Sequence, residues 1–240
     1  ITEILGFFCD TGMSSILAIS AESALQRLQG VLHTIDTLPI PRALRPAVET
    51  LLVRQAIKMM DAALPWQRGH GRRTAVLARS IGACAQLSAE SLHHVTLAAL
   101  LHDIGLLALP LDLASQTGCL DVQSYAARQS HPRMGAECLE PYRFLRNVSI
   151  IIAHHHERWD GTGYPYGIRG TFIPIEARVL AIADAFDAIH VPGAIDQDSR
   201  DSAAYRILTV GAGTQFDPHL IERFGHCLQR QRTNLNFSFN

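Results

Sequence analysis

The sequence is poor in the features that mark several common protein classes. Its 240 residues include five cysteines, Cys9, Cys84, Cys119, Cys138 and Cys227, and no two of them form a Cys-x-x-Cys pair. A disulfide framework or a cysteine-type zinc site is therefore not expected. The cysteines are predicted to be free thiols in a reducing cytoplasm.

Charge and hydrophobic length are also limited. The formal net charge of −1 gives no electrostatic support for binding DNA or RNA. No run reaches the roughly 18 consecutive apolar residues of a membrane-spanning helix, and the first residues lack the basic stretch of a signal peptide. Strand-type alternation and internal repeats are absent from the sequence. We therefore predict a cytoplasmic, all-helical protein without a membrane span.

Helical periodicity and the positions of the prolines divide the chain into three parts. Residues 1–62 carry helical periodicity broken by prolines and little chemistry, and are predicted to be a helical segment, a linker or a dimer contact. Residues 63–230 are densely helical and form the predicted domain. Within them, residues 191–201 are predicted to be a polar break between helices. Residues 231–240 are predicted to be a frayed tail.

Histidine and aspartate recur in an apolar, helical background. His102 and Asp103 end an apolar run, where burial is costly unless the two side chains are paired or bind a metal. One such pair is more typical of a hydrogen-bonded core pair. Asp184 is less easily explained, because it lies in mid-helix with apolar residues on nearly every side.

The accumulation of such residues favours a metal centre. Adjacent histidines on an α-helix point about 100° apart, so His155 and His156 can reach one metal only where their helix ends or is distorted. Imidazole and carboxylate suit iron, manganese, zinc or nickel, and a shared carboxylate can bridge two ions. The candidate residues are His70, His102, Asp103, His131, His154, His155, His156 and Asp184.

One long string in the second half of the chain is highly specific. Residues 155–165 read His-His-Glu-Arg-Trp-Asp-Gly-Thr-Gly-Tyr-Pro. This string resembles the HD-GYP domain family of bacterial cyclic dinucleotide phosphodiesterases. The same resemblance is carried by the stretches 101–105, 131–132, 135–137, 173–174, 177–178, 183–188 and 211–218. The resemblance extends from about residue 70 to about residue 224.

The resemblance implies an all-α, HD-superfamily helical bundle with a metal centre between its helices. Two divalent ions are implied, iron or manganese, with zinc or nickel as alternatives. Asp103, as bridging carboxylate, and His102 are the implied catalytic residues, and the reaction is metal-dependent hydrolysis of a phosphodiester. The implied metal ligands are His70, His102, Asp103, His131, His155, His156 and Asp184.

The resemblance also implies a substrate and a substrate loop. The family opens cyclic di-GMP to the linear dinucleotide or to GMP in second-messenger signalling. Gly163, Tyr164 and Pro165 are implied substrate contacts, and Tyr164 could stack on guanine or simply pack the loop. Asp187 matches an acidic position next to the site and is a further implied substrate contact. GGDEF-domain proteins are implied partners, and a homodimer is a further expectation.

Three departures from the family pattern bear on activity. Leu106 stands where the family usually has a lysine near the phosphate. Trp66 replaces a glutamate that supplies a third metal in some members, so two metals are expected here. After Ile189 the usual basic, phosphate-binding segment is missing, and only Arg200 and Arg206 could substitute for it.

Three functions therefore remain open from the sequence. The first is a working cyclic di-GMP phosphodiesterase, with full or reduced activity. The second is a catalytically weakened domain that acts as a nucleotide-binding or GGDEF-protein-binding regulatory module. The third is hydrolysis of another phosphoester by the same metal centre.

Overall fold

The computed structural model describes residues 21–37, 41, 43–115, 121–189 and 196–237. Within these residues the regular secondary structure is helical, apart from an isolated bridge between Ala212 and Phe216. The predicted all-α fold class is confirmed. The α-helices are α1 (Ala21–Thr37), α2 (Arg45–Ala63), α3 (His70–Cys84), α4 (Ala89–Leu101), α5 (Leu111–Ser115), α6 (Val122–Arg128), α7 (His131–Leu139), α8 (Arg146–Ala153), α9 (Ile175–Ala188), α10 (Gln197–Val210) and α11 (Pro218–Phe237). Short 3-10 helices cover Pro65–Gln67, His102–Ala108, Arg143–Leu145 and Gly170–Phe172.

Helix α4 is the centre of the bundle. It is apolar around most of its circumference, as expected of a helix that is covered on all sides. It packs against α3, α8 and α9, and Val95, Ala98 and Ala99 are fully buried. The stretch Ala89–Ala108 has the length and composition of a membrane span, but 61% of it is buried inside the fold. This burial identifies it as a core helix.

The first two described helices join the same core. Leu28 and Leu32 from α1 and Val53 from α2 line a small gap together with Leu101 and Ile104 from the centre of the domain. All five side chains are at least 93% buried. The described part of the predicted segment 1–62 is therefore packed against the domain, while residues 1–20 lie outside the described chain.

The prediction that the cysteines are free thiols is wrong for one pair. Cys84 and Cys227 form a disulfide bond with a Cα–Cα distance of 6.3 Å. They are 143 residues apart and meet because α11 packs against α3. Cys138 is free, and Cys9 and Cys119 lie outside the described residues.

Two helix boundaries also differ from the prediction. The expected break at 191–201 is helical from Gln197, because the Asp196 side chain caps α10 by accepting a hydrogen bond from the backbone N–H of Ser199. Residues 190–195 are not described. Helix α11 continues to Phe237, so the predicted tail from residue 231 is helical up to that point.

Candidate metal centre

The structure brings all seven predicted metal ligands to one place. They come from five separate parts of the chain, which meet around the end of α4. His70 begins α3, His102 and Asp103 begin the 3-10 helix after α4, His131 begins α7, His155 and His156 follow α8, and Asp184 lies within α9.

Local backbone geometry explains how these side chains converge. Helix α8 ends at Ala153, so His155 and His156 lie in the turn that follows, as the sequence argument required. Gly105 allows the 3-10 helix to approach α7 closely, because a Cβ atom there would lie 2.0 Å from the carbonyl oxygen of His131. The glycine of the His-Asp-Ile-Gly motif is therefore needed to bring Asp103 beside His131.

Backbone carbonyl groups orient three of the imidazoles. In His102, His131 and His155, Nδ1 lies 2.9, 2.8 and 2.7 Å from the carbonyl oxygen three residues earlier. A carbonyl oxygen can only accept, so each Nδ1 must carry the proton and donate it. In its neutral form each ring therefore presents the lone pair of Nε2 to the centre, as a metal ligand requires.

The ligands form two groups joined by one carboxylate. Within each group the ligand atoms lie within 4.8 Å of one another. Asp103 faces both groups: its Oδ2 is 3.2 Å from Nε2 of His102, and its Oδ1 is 3.4 Å from Nε2 of His131. The first group is His70, His102 and Asp184, and the second is His131, His155 and His156.

Two buried nitrogen atoms indicate that the centre is built for a cation. Nε2 of His131 and Nε2 of His155 are buried without a hydrogen-bond partner in the described chain. An unsatisfied buried polar atom costs about 1–3 kcal/mol. Divalent metal ions would satisfy both nitrogens, and the mixed imidazole and carboxylate set fits such ions.

Electrostatics keep the second group of ligands in the protonation state that metal binding needs. Burial, together with the nearby His131, lowers the pKa of His156 to about 4. Burial also lowers the pKa of His155, with a further contribution from His156. Both rings are therefore neutral at pH 7.

The first group attracts positive charge instead. Burial acts against ionisation of Asp103 and Asp184, but the interactions with His102 outweigh it and lower the pKa of both carboxyl groups. Burial likewise opposes protonation of His70, yet hydrogen bonds that its ring donates to Asp184 and Asp187 raise its pKa to about 9. This end of the centre is suited to hold a cation.

Asp187 contacts a ligand directly. Its Oδ2 lies 2.7 Å from Nδ1 of His70, and its carboxylate accepts two hydrogen bonds from Arg73, at 2.8 and 2.9 Å. The sequence predicted Asp187 as a substrate contact, and the structure shows its side chain engaged by these two residues. Arg73 was not predicted, although its spacing of three residues from His70 places both on one helix face.

A cavity of about 670 Å³ opens onto the centre. Tyr164 is part of its wall and stacks on His156, with ring centroids 4.9 Å apart and planes inclined by 27°. Gly163 and Pro165, the other predicted loop contacts, are not among the lining residues. The lining residues are Trp66, Gln67, His70, Arg73, Asp103, Tyr125, Arg128, Gln129, His131, His156, Tyr164, Asp184, Asp187 and Ala188.

The loop that carries Tyr164 is fastened by a residue that sequence reasoning missed. Glu157 is 4% exposed, and its Oε1 accepts a hydrogen bond of 2.7 Å from the backbone N–H of Tyr166. Backbone groups of Gly167 and Ile168 also bond to this carboxylate. Glu157 stands inside the specific string 155–165, and a buried carboxylate in a glycine-rich loop is a signal for such anchoring.

The departures from the family pattern fall in different places. Trp66 lines the cavity, whereas Leu106 is 1% exposed and belongs to the hydrophobic core. Arg200 contacts Asp201 and the carbonyl oxygen of Asp187. Arg206 is exposed on α10. Neither of these arginines lines the cavity.

This chain belongs to the HD domain family and is similar in sequence to several proteins named as phosphodiesterases. A family model described as an HD domain matches residues 54–220. The 3′3′-cGAMP-specific phosphodiesterase 2 of Vibrio cholerae is 29% identical over 224 residues, which cover 89% of this chain and 43% of that protein. The cyclic di-GMP phosphodiesterase response regulator RpfG of Xanthomonas campestris is 37% identical over 138 residues, which cover 57% of this chain and 36% of that protein. The chain thus spans less than half the length of these relatives.

Solved structures share the fold. Bd1817, an HDG"Y"P protein from Bdellovibrio bacteriovorus, superimposes with a TM-score of 0.56 at 19% identity, covering 95% of this chain and 77% of that one. The cyclic GMP-AMP-specific phosphodiesterase V-cGAP3 of V. cholerae gives a TM-score of 0.52 at 23% identity, covering 70% of this chain and 44% of that one.

Proposed function

We propose that this chain is a metal-dependent phosphodiesterase that acts on cyclic dinucleotides. The proposal starts from the premise that the chain belongs to the HD domain family, and within it to the HD-GYP proteins. Cyclic di-GMP is the proposed substrate, because several relatives are named for it. Other relatives are named for 3′3′-cGAMP, which makes that compound the competing substrate. The proposed product is the linear dinucleotide or GMP.

The position of Asp103 is the observation that carries this proposal. Its two oxygens face two groups of ligands, as a carboxylate shared by two divalent ions would. We propose iron or manganese for these ions, with zinc or nickel as alternatives. When bound, such a pair of ions lowers the pKa of water and stabilises charge on phosphate oxygens.

The protein itself supplies position and enclosure. Asp103 and His102 are the proposed catalytic residues, because Asp103 lines the cavity and His102 lies beside it, with Nε2 3.2 Å from Oδ2 of Asp103. The cavity volume of about 670 Å³ lies within the usual range for small-molecule sites, roughly 300–1,000 Å³. Tyr164 offers an aromatic face at its wall, which suits a nucleobase.

A turnover assay with a matched variant tests the proposal. The chain is purified with manganese or ferrous iron, its metal content is measured, and cyclic di-GMP and 3′3′-cGAMP are followed by chromatography. His102→Ala removes a ligand and should abolish turnover. His93→Ala is the control, because the His93 side chain is 50% exposed on the neighbouring helix α4. Metal-loaded protein that forms no linear product over hours would contradict the proposal.

One observation supports the regulatory alternative. The arginines among the described lining residues are Arg73 and Arg128, and Arg73 is already bonded to Asp187. A site with only these two arginines among its described lining residues could bind nucleotide, or a GGDEF-domain protein through the Tyr164 loop, without rapid turnover. Nucleotide binding without product in the same assay would favour this alternative. The cytoplasmic location and the homodimer stay predictions.

A further inference from the structure

We infer that helix α6 is the substrate-binding wall of the cavity, with Arg128 contacting a phosphate group and Tyr125 contacting a base of the cyclic dinucleotide. This inference rests on the proposed function.

Helix α6 is well placed for this role. Tyr125 and Arg128 are three residues apart, so they share one helix face, and both line the cavity. The carbonyl oxygen of Arg128 lies 2.8 Å from Nδ1 of the metal ligand His131. The end of α6 is thereby fixed beside the metal ligand His131.

Arg128 brings positive charge to the wall of the cavity. Asp103 and Asp184 bring negative charge to the floor, and the substrate itself is an anion. Arg73, which is bonded to Asp187, is one arginine among the lining residues. Arg128 is the other arginine among the described lining residues, and the planar guanidinium group suits a phosphodiester.

Aromatic side chains line the same cavity as Arg128. Trp66 is 39% and Tyr125 is 54% exposed at the cavity, and Tyr164 stacks on His156 deeper in the wall. Exposed aromatic faces beside a cation are a typical platform for stacked bases and their phosphates.

The phosphate contact is tested by Arg128→Gln. We expect the KM for cyclic di-GMP to rise about 10- to 100-fold, the range expected for loss of a charged hydrogen bond. The kcat should change little, since a ground-state contact is lost, and the rate should depend less on salt. Arg133→Gln is the control, because Arg133 lies on the next helix with its side chain 50% exposed and paired with Glu137.

The base contact is tested by Tyr125→Ala and Tyr125→Phe. The alanine variant should raise the KM for cyclic di-GMP about tenfold, and the phenylalanine variant should restore it. Hydrolysis of bis(p-nitrophenyl) phosphate, which has a phosphodiester but no nucleobase, should be unchanged in the alanine variant. Phe172→Ala is the control, since Phe172 is 80% exposed and lies outside the cavity.

The outcomes separate this inference from the proposed function. If the wild-type chain cleaves cyclic di-GMP and both variants keep its KM, helix α6 is not the binding wall, although the proposed function stands. If the wild-type chain does not cleave it, affinity is measured by equilibrium dialysis on metal-loaded protein. Weaker binding by Arg128→Gln than by Arg133→Gln then supports the inference. Equal binding, or no binding by the wild-type chain, overturns it.

Discussion

Asp103 lies 3.4 Å from His131, measured between Oδ1 and Nε2, while its other oxygen lies 3.2 Å from Nε2 of His102. One carboxylate therefore belongs to both groups of ligands. The side chain is 12% exposed, and its charge is maintained in spite of burial because His102 and His131 lower its pKa. The two halves of the centre should depend on Asp103 together.

Asp103→Asn should uncouple the two halves. We expect the metal content to fall from about two ions to about one per chain, and turnover to fall about 10³-fold or more, because a neutral amide is a poor bridging ligand. Metal analysis and kinetics on the same preparation measure both effects. Asp112→Asn, an exposed change on α5, should affect neither. Retention of two ions with normal turnover would show that Asp103 is not shared.

Asp187 offers a test between two roles. Its hydrogen bond to Nδ1 of His70 fixes that ring, and loss of such a bond typically lowers metal affinity about 10- to 100-fold. Asp187→Asn should therefore weaken metal binding, measured by competition with a chelator, and excess metal should restore kcat. The Asp112→Asn variant again serves as control. A raised KM with unchanged metal affinity would instead support the substrate contact that the sequence predicted.

Part of the metal centre was predictable from the sequence, because some of its residues stand out against their immediate neighbours in the chain. His102 beside Asp103 at the end of an apolar run, and Asp184 among apolar residues, stand out because buried polar groups need a compensating partner. The helix end before His155 could also be inferred, because two adjacent histidines on a helix diverge. Family motifs then assigned the complete ligand set.

Features that depend on distant pairs could not be predicted in this way. His70 and Asp187 are 117 residues apart, and Cys84 and Cys227 are 143 apart, so no local pattern indicates that they meet. The burial of Leu106 is likewise set by packing between helices. In the sequence Leu106 looks like the loss of a catalytic charge, but in the structure it is a core side chain.

Restoring the family's lysine at position 106 should therefore destabilise the chain. Leu106 is 1% exposed, and burying an unpaired ammonium group there should lower the free energy of unfolding by about 3 kcal/mol or more. Leu106→Met, which keeps the volume, should cost less than about 1.5 kcal/mol. Urea denaturation compares the two variants. A lysine variant that is as stable as wild type and turns over faster would show that its side chain reaches the phosphate.

The disulfide should contribute measurably to stability. It joins the end of α3 to α11 and closes a long loop, so its loss should cost about 2–4 kcal/mol. We expect the Cys84→Ser, Cys227→Ser double variant to match dithiothreitol-treated wild type and to fall below untreated wild type in thermal melts. The variant itself should not respond to dithiothreitol. Titration of both thiols in untreated, native protein would contradict the assignment.

Asp160 gives the loop before Tyr164 a defined pH dependence. Hydrogen bonds from Arg158 and Thr162 lower its pKa from 3.8 to about 2. The pKa of Asp160 is lower in the folded chain than in the unfolded chain. The Asp160 carboxylate therefore stabilises the fold fully above about pH 4, and this stabilisation is lost as the pH falls towards 2. Asp160→Asn keeps the shape but removes the charge. The stability difference between wild type and Asp160→Asn should therefore be constant at neutral pH and shrink below pH 4, measured by urea denaturation at each pH.

Glu140→Gln, an exposed change on the α7 side of the fold, is the control and should show no such convergence. A difference that grows as the pH falls would show that the Asp160 carboxylate does not stabilise the loop.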